Sequence, residues 1–170
     1  LEREPERRQV LKESTAYILT DAMHGVVTAG GTGTKANLDN MYVAGKTGTT
    51  SNSYDIWFAG YTPYLTATIW SGYDQNVLMD NTSYHLVIWK NIMSRVHELK
   101  GYESAEFKRP DSVVSAQVCK KCGQLATLGL CDKDPEKNMI TTELFIAGTV
   151  PTERCVCHEE VSICNDSGLL

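Results

Sequence analysis

Lys46, Thr47 and Gly48 are the residues of this chain best suited to chemistry. They stand in the run Val43-Ala44-Gly45-Lys46-Thr47-Gly48-Thr49-Thr50, and six residues later the chain continues Ile56-Trp57-Phe58-Ala59-Gly60-Tyr61. An ammonium and two hydroxyls along an extended segment can hold a carboxylate. Thr47 and Thr49 would donate hydrogen bonds to it, and Lys46 would supply the positive field that selects an anion. Gly48 has no Cβ, so an extended peptide can approach the strand edge and add to it through main-chain hydrogen bonds. The combination suits serine acyl transfer at a peptide terminus. A Lys-Thr-Gly triplet alone would occur by chance about 0.04 times per chain of this length, so its neighbourhood has to carry the reading.

Two phosphate-binding patterns overlap the same stretch, and both fail. Gly45-Lys46-Thr47 could end a P-loop, but that pattern needs a glycine at position 40, which is Asn40. Gly31-Thr32-Gly33-Thr34-Lys35-Ala36 fits the loose dinucleotide fingerprint, which counts only between a strand and the helix it opens. Here a helical pattern precedes it and the turn-forming Asn37-Leu38-Asp39-Asn40 follows.

The elements that must position Lys46 are legible from periodicity. From a start at Glu13 or Ser14, apolar residues including Ala16, Leu19, Met23 and Val26 recur at helical spacing until Gly30-Gly31. Met41-Tyr42-Val43-Ala44 reads as a short strand leading into Lys46. Residues 54–61 and 65–73 read as two further strands joined through Pro63, an antiparallel hairpin. Asn81 or Thr82 then caps a long helix with an apolar stripe of Leu86, Trp89, Ile92, Met93, Val96 and Leu99, stopped by Gly101. The expected class is α+β, an antiparallel sheet with packed helices. Trp57, Phe58, Trp70 and Trp89 read as core packing. His24 and His97 fall within helical patterns, His85 near a helix start and His158 in the tail. None has a serine partner that the pattern supports.

The chain has 170 residues, 42% of them hydrophobic and 22% charged, with a net charge of −5. That balance argues against a nucleic-acid partner. The cluster Arg3, Arg7, Arg8 and Lys12 alternates with Glu2, Glu4, Glu6 and Glu13 and reads as a solvated face. No stretch approaches the ~20 apolar residues of a membrane span. The N-terminal Leu1-Glu2-Arg3-Glu4 lacks an initiator Met and a signal sequence, so a piece of something longer is expected. Cysteine placement divides the chain. None precedes position 119, whereas Cys119, Cys122, Cys131, Cys155, Cys157 and Cys164 all follow. With Gly101, Pro110 and mixed charges between, the expected domains are residues 1–108 and a small cysteine-rich, irregular or β tail over residues 109–170.

Four blocks carry a family resemblance: Ser14-Thr15-Ala16-Tyr17-Ile18-Leu19-Thr20-Asp21, the Lys-Thr-Gly run, Asp55-Ile56-Trp57-Phe58-Ala59-Gly60-Tyr61-Thr62-Pro63, and Trp70-Ser71-Gly72-Tyr73-Asp74. Over residues 9–100 the chain resembles the C-terminal part of the transpeptidase domain of class A, bifunctional penicillin-binding proteins, a fold related to the serine β-lactamases. The resemblance implies a D,D-transpeptidase of peptidoglycan biosynthesis. In that family a serine attacks the D-alanyl-D-alanine bond of a stem peptide, an amine from a neighbouring strand takes the acyl group, and β-lactams acylate the same serine. It implies Lys46 as a catalytic residue, Thr47, Gly48 and Thr49 as substrate-binding residues, and the Thr49 backbone N–H as one of two oxyanion-hole donors, each worth ~3 kcal/mol. It implies an extracytoplasmic location with an anchor upstream, stem peptides and β-lactams as partners, and no cofactor. The family also uses Ser-x-x-Lys and Ser-x-Asn motifs ahead of Lys-Thr-Gly. No serine of this chain begins either one. The acylated serine is therefore expected outside these residues, and this chain alone is expected to be inactive.

The tail leaves its own chemistry open. Cys119-x-x-Cys122 and Cys155-x-Cys157-His158 offer enough donors for a tetrahedral zinc, but not the usual paired C-x-x-C spacing. An extracytoplasmic location favours disulfides instead, and free thiols are a third possibility. The expectation is therefore no metal. One bridge would run from Cys131 to Cys155, stapling the loop that holds Asp134-Pro135 and Leu144-Phe145-Ile146, and Cys157 would be free to reach Cys119 or Cys122. A weak repeat relates Val118-Cys119 and the six residues after it to Ile163-Cys164 and the six after that. The competing function is a non-catalytic cysteine-rich binding or spacer module on an inert α+β scaffold.

Overall fold

The computed structural model describes residues 8–80 and 83–161. The cap expected at Asn81 or Thr82, the acidic and basic residues at positions 2–7, Cys164 and the second repeat copy lie outside them. The chain forms two compact units, Leu1–Arg109 and Pro110–Leu170.

In the first unit, helix α1 (Glu13–Val27) leads through Gly30-Gly31 to β1 (Ala44–Thr49). Strands β2 (Asp55–Tyr61) and β3 (Thr66–Gly72) follow, then helix α2 (Tyr84–Lys100). The sheet is antiparallel in the order β1-β2-β3, with Lys46 opposite Ala59 and Trp57 opposite Trp70. β1 begins at Ala44, so Lys46 lies inside the strand and not after it. Met41 makes only an isolated bridge to Leu38. Helix α2 ends as expected, with Gly101 left-handed at φ 65° and Tyr102 N–H bonded to the His97 carbonyl at 3.0 Å.

Strand alternation sets the core. Ile56, Phe58 and Gly60 face one way along β2, and α2 lays Leu86, Trp89 and Met93 with Val27, Ala36, Leu38 and Val43 around Phe58. The Phe58 and Trp89 rings meet edge to face, centroids 5.0 Å apart at 85°, and Trp89 Nε1 donates to the Ala67 carbonyl at 2.9 Å. Two glycines make room for that ring. A Cβ on Gly45 would come within 2.6 Å of the Phe58 ring, and one on Gly60 within 2.5 Å of it and 2.7 Å of Trp89.

Two expectations about packing fail. Trp57 and Trp70 are not core residues but a cross-strand pair, 44% and 46% exposed in this chain, because they fall on the opposite side of the pleat from Phe58. Ile92 and Leu99 of the expected stripe are also exposed, and His85 and His97 are buried instead. His97 is satisfied there. Its Nδ1–H donates to the Met93 carbonyl at 2.7 Å, which leaves Nε2 to accept from the Thr62 hydroxyl at 2.9 Å. His85 is poorly satisfied, since neither ring nitrogen makes a well-formed hydrogen bond among the described residues and the Trp57 backbone offers only a marginal one. Burial pushes its pKa down, and the Trp57 backbone offsets this only in part.

In the second unit β4 (Val113–Cys119) pairs antiparallel with β5 (Ile140–Ile146), which contains the strand-like Leu144-Phe145-Ile146. β4 had not been expected, although Val114, Ala116 and Val118 alternate with Ser115 and Gln117. Residues 120–139 loop out between the strands. Residues 153–155 return along that loop, with Leu125 N–H bonded to the Glu153 carbonyl and Cys155 N–H to the Leu125 carbonyl. The buried centre is Cys119, Cys131, Met139 and Cys155.

Two measurements test this packing. Gly60→Ala should destabilise the first unit by ~1–3 kcal/mol through overpacking, and in the Phe58→Leu background the cost should shrink because the clashing ring is gone, as read from urea midpoints. For His85 the folded pKa lies below the unfolded one, so the unfolded chain binds more protons and stability is lost as pH falls below ~6.5. His85→Leu should be neutral or stabilising at pH 7 and should flatten the decline of the midpoint between pH 7 and 5.

Candidate active-site strand and the cysteine cluster

β1 is an edge strand, and among the described residues no strand pairs with its other side. Thr50 N–H bonds to the Asp55 carbonyl at 3.1 Å, extending the β1–β2 ladder. Main-chain groups alternate in direction along an antiparallel strand, so Gly48 and Lys46 also address β2, while Thr49, Thr47 and Gly45 turn N–H and C=O toward the open edge. Lys46 Nζ lies at that edge, donating to the Thr47 carbonyl at 2.8 Å. Its ammonium is exposed, and the Thr47 hydroxyl is 3.5 Å away. The side chains divide by the pleat. Lys46 and Gly48 share a face with Ala59 and Trp57, and a Cβ on Gly48 would sit 3.3 Å from Trp57 Cβ. Thr47 and Thr49 share the other face.

The surroundings hold this strand in place. Thr32 Oγ1 is 2.9 Å from Thr47 Oγ1, bringing to the motif a residue that the sequence did not single out. It arrives there because Gly31 N–H bonds back to the Thr28 carbonyl and Gly33 N–H to the Val26 carbonyl, folding the chain round the end of α1. The glycine-rich segment that mimicked a dinucleotide fingerprint is thus a helix terminator. Just past the C-terminal end of β1 the Asp55 carboxylate accepts from Thr50 Oγ1 at 3.2 Å and from Trp70 Nε1 at 3.0 Å, pinning the β1–β2 turn. His24 Nδ1–H donates to the Val43 carbonyl at 2.6 Å and stacks on Tyr42 at 3.8 Å. Burial of Tyr42, with the nearby Asp21 carboxylate, pushes its phenol up to about 12.

In the second unit the five described cysteines are all free thiols, including Cys131 and Cys155, the pair expected to be bridged. They converge on one place. The donor atoms of Cys119, Cys131, Cys155 and His158 lie within 4.8 Å of one another, as do those of Cys119, Cys122, Cys155 and Cys157. Burial pushes the Cys119 thiol up, but hydrogen bonds from the Cys122 and Lys121 backbone and from Cys155 and Cys157 outweigh it and bring it to about 6. Cys157 is pushed up, first by its hydrogen bond with Cys155. The hydrogen bond from Lys121 holds the Asp134 carboxyl well below its ordinary range.

Comparison with known proteins matches residues 1–96 to the penicillin-binding protein transpeptidase domain and residues 109–160 to the penicillin-binding protein 1A C-terminal domain. Penicillin-binding protein 1A of Clostridium botulinum (strain Hall) is 38% identical over 172 residues, covering 100% of this chain and 20% of the relative. That of Clostridium tetani is 38% identical over 159 residues, covering 88% of this chain and 19% of the relative. Penicillin-binding protein 1A/1B of Bacillus subtilis is 31% identical over 172 residues, covering 92% and 18%. The chain therefore spans about a fifth of the length of these relatives. The crystal structure of penicillin-binding protein 1A from Haemophilus influenzae superposes with a TM-score of 0.62 at 23% identity, over 86% of this chain and 22% of that one, and shares the α+β fold. This chain belongs to the class A penicillin-binding proteins, with a segment of the transpeptidase domain followed by the penicillin-binding protein 1A C-terminal domain.

Proposed function

We propose that β1 forms one wall of the peptide cleft of a serine D,D-transpeptidase that cross-links peptidoglycan stem peptides and is acylated by β-lactams. The observation that carries this reading is the open edge of β1, where the outward N–H and C=O groups of Thr47 and Thr49 stand beside the exposed Lys46 ammonium. A stem peptide can add to that edge as an extra strand, with Gly48 keeping the neighbouring surface low. Lys46 supplies the field for the terminal carboxylate, and the Thr47 and Thr49 hydroxyls are donors for it. The outward Thr49 N–H is one donor to the oxyanion that forms when a serine Oγ attacks the D-alanyl-D-alanine carbonyl. D-Alanine then leaves, and an acceptor amine displaces the serine from the acyl group.

The attacking serine comes from a Ser-x-x-Lys motif outside these 170 residues, since none of the serines here begins that motif or Ser-x-Asn. The protein works outside the cytoplasmic membrane, held by an anchor upstream of this segment. Among the described residues no helix is long and apolar enough to cross a membrane.

The 170-residue chain alone should form no covalent adduct with a fluorescent penicillin, read on a denaturing gel. Stoichiometric labelling would overturn the division of labour proposed here. When the chain is joined to the residues that precede it in its gene, labelling should appear, and Lys46→Ala should slow acylation about 10- to 100-fold, the loss of a charge-assisted hydrogen bond of ~1.5–3 kcal/mol. The unfolding midpoint should stay unchanged, because an exposed strand lysine carries little packing. A preceding segment without Ser-x-x-Lys and Ser-x-Asn would return the chain to the reading of an inert scaffold for its cysteine-rich tail.

A further inference from the structure

We infer that the C-terminal unit is a zinc-binding module in which Cys119, Cys131 and Cys155 Sγ and His158 Nδ1 hold one structural Zn²⁺. A tetrahedral zinc with Zn–S of ~2.3 Å and Zn–N of ~2.0 Å sets donor separations of roughly 3.5–3.8 Å. Here Cys119 Sγ is 3.6 Å and Cys155 Sγ 3.1 Å from His158 Nδ1, and all four donors lie within 4.8 Å of one another. Small shifts of rotatable side chains would close that arrangement on an ion.

Cys157 Sγ lies as close, 3.8 Å from Cys119 Sγ, 3.3 Å from Cys155 Sγ and 3.6 Å from His158 Nδ1, so three observations other than distance choose this set over the alternative with Cys122 and Cys157, which shares Cys119 and Cys155. The first is burial. Cys131 is buried, whereas Cys122 is half-buried and Cys157 exposed, and closed structural sites are shielded from water. The second is the orientation of His158. Its Nε2 is hydrogen-bonded to Asp134 Oδ2 at 2.7 Å with both side chains nearly inaccessible, 8% and 3% exposed, which turns Nδ1 toward the thiols. A carboxylate behind a ligating imidazole is the usual support that fixes its tautomer and strengthens it as a ligand. Lys121 Nζ, 2.6 Å from the same oxygen, holds that carboxylate in turn. The third is Cys131 Sγ itself, which accepts the Thr127 N–H at 3.3 Å, a contact that suits a thiolate.

Among the described residues this unit has no second buried cluster. The buried cluster of this unit is these cysteines with Met139, against which Cys122, Ala126 and Ile140 pack, and beyond it only Val113 and Val118 are buried among the described residues. A unit of about 60 residues with so little apolar core ordinarily needs a staple. Three separate segments bring the donors together: the end of β4, the loop turn at Cys131 and the returning segment at Cys155. A disulfide between Cys131 and Cys155 would tie two of these. Even with Cys119 then paired to Cys157, 3.8 Å away, it would leave the imidazole that Asp134 turns toward the thiols with no role.

The test uses the 170-residue chain purified without chelator. Native mass spectrometry should find one zinc per chain, and X-ray absorption at the zinc edge should count three sulfurs and one nitrogen. Removing the metal should lower the unfolding temperature of this unit. Cys131→Ser and His158→Gln should each weaken zinc binding at least about 100-fold, Asp134→Asn about 10- to 100-fold, and Cys122→Ser and Cys157→Ser less than about threefold. A metal-free chain with a Cys131–Cys155 crosslinked peptide, isolated from cells supplied with zinc, would overturn the proposal. So would a four-sulfur shell, which reads on the unmutated chain even where a variant fails to fold. Loss of zinc in Cys122→Ser and Cys157→Ser, with binding kept in Cys131→Ser and His158→Gln, would also overturn the assigned donors.

Discussion

The Phe58 ring, clasped between β1, β2 and Trp89, is the contact on which the first unit depends. It occupies space that exists only because Gly45 and Gly60, opposite each other across two strands, have no side chains. The ring therefore reaches under β1 and meets α2 edge to face. Protein interiors are close-packed, so this fit locks the helix and the β1–β2 register together. A slip of one residue would put Trp57 under the helix and Phe58 in solvent. It would also exchange which main-chain groups of β1 face outward.

That coupling links packing to chemistry. Register determines that the N–H of Thr49 points away from β2 and that the Lys46 ammonium reaches the outer carbonyl of Thr47. The proposed cleft wall is then a consequence of core packing on the far side of the sheet. The Thr50–Asp55–Trp70 cluster and the Thr32 hydroxyl secure the C-terminal end and the middle of the strand at the surface, where single hydrogen bonds contribute only about 1 kcal/mol each. The buried ring supplies the rigidity, and the surface contacts supply the alignment.

The second unit solves the same problem with different material. Its two strands are joined by a long loop, and its buried cluster is largely sulfur in place of hydrocarbon. Thiols bury well as small hydrophobes, but six of them in so short a segment exceed what packing needs. The imidazole held by Asp134 is the element that packing alone does not call for.

Much of this was legible in the residues. The period of α1, the left-handed stop at Gly101 and the β2–β3 hairpin follow from local pattern and turn chemistry, and Lys46, Thr47, Gly48 and Thr49 stand out as candidates by residue type. What local pattern could not decide was which side of each element would be covered. Trp57 and Trp70 have the hydrophobicity of core residues yet lie outside, and His85 and His97 lie inside, because burial is assigned by the partner that packs on a face and not by the residue's own character. Strand β4 escaped because its pairing partner lies more than twenty positions away, so only the folded chain shows the pairing. Six sulfurs can be counted from sequence, but which of them meet depends on three chain segments folding onto one point. Composition and period are local properties that a sequence states outright, whereas convergence between distant residues is a property of the closed chain, and only the tertiary structure decides it.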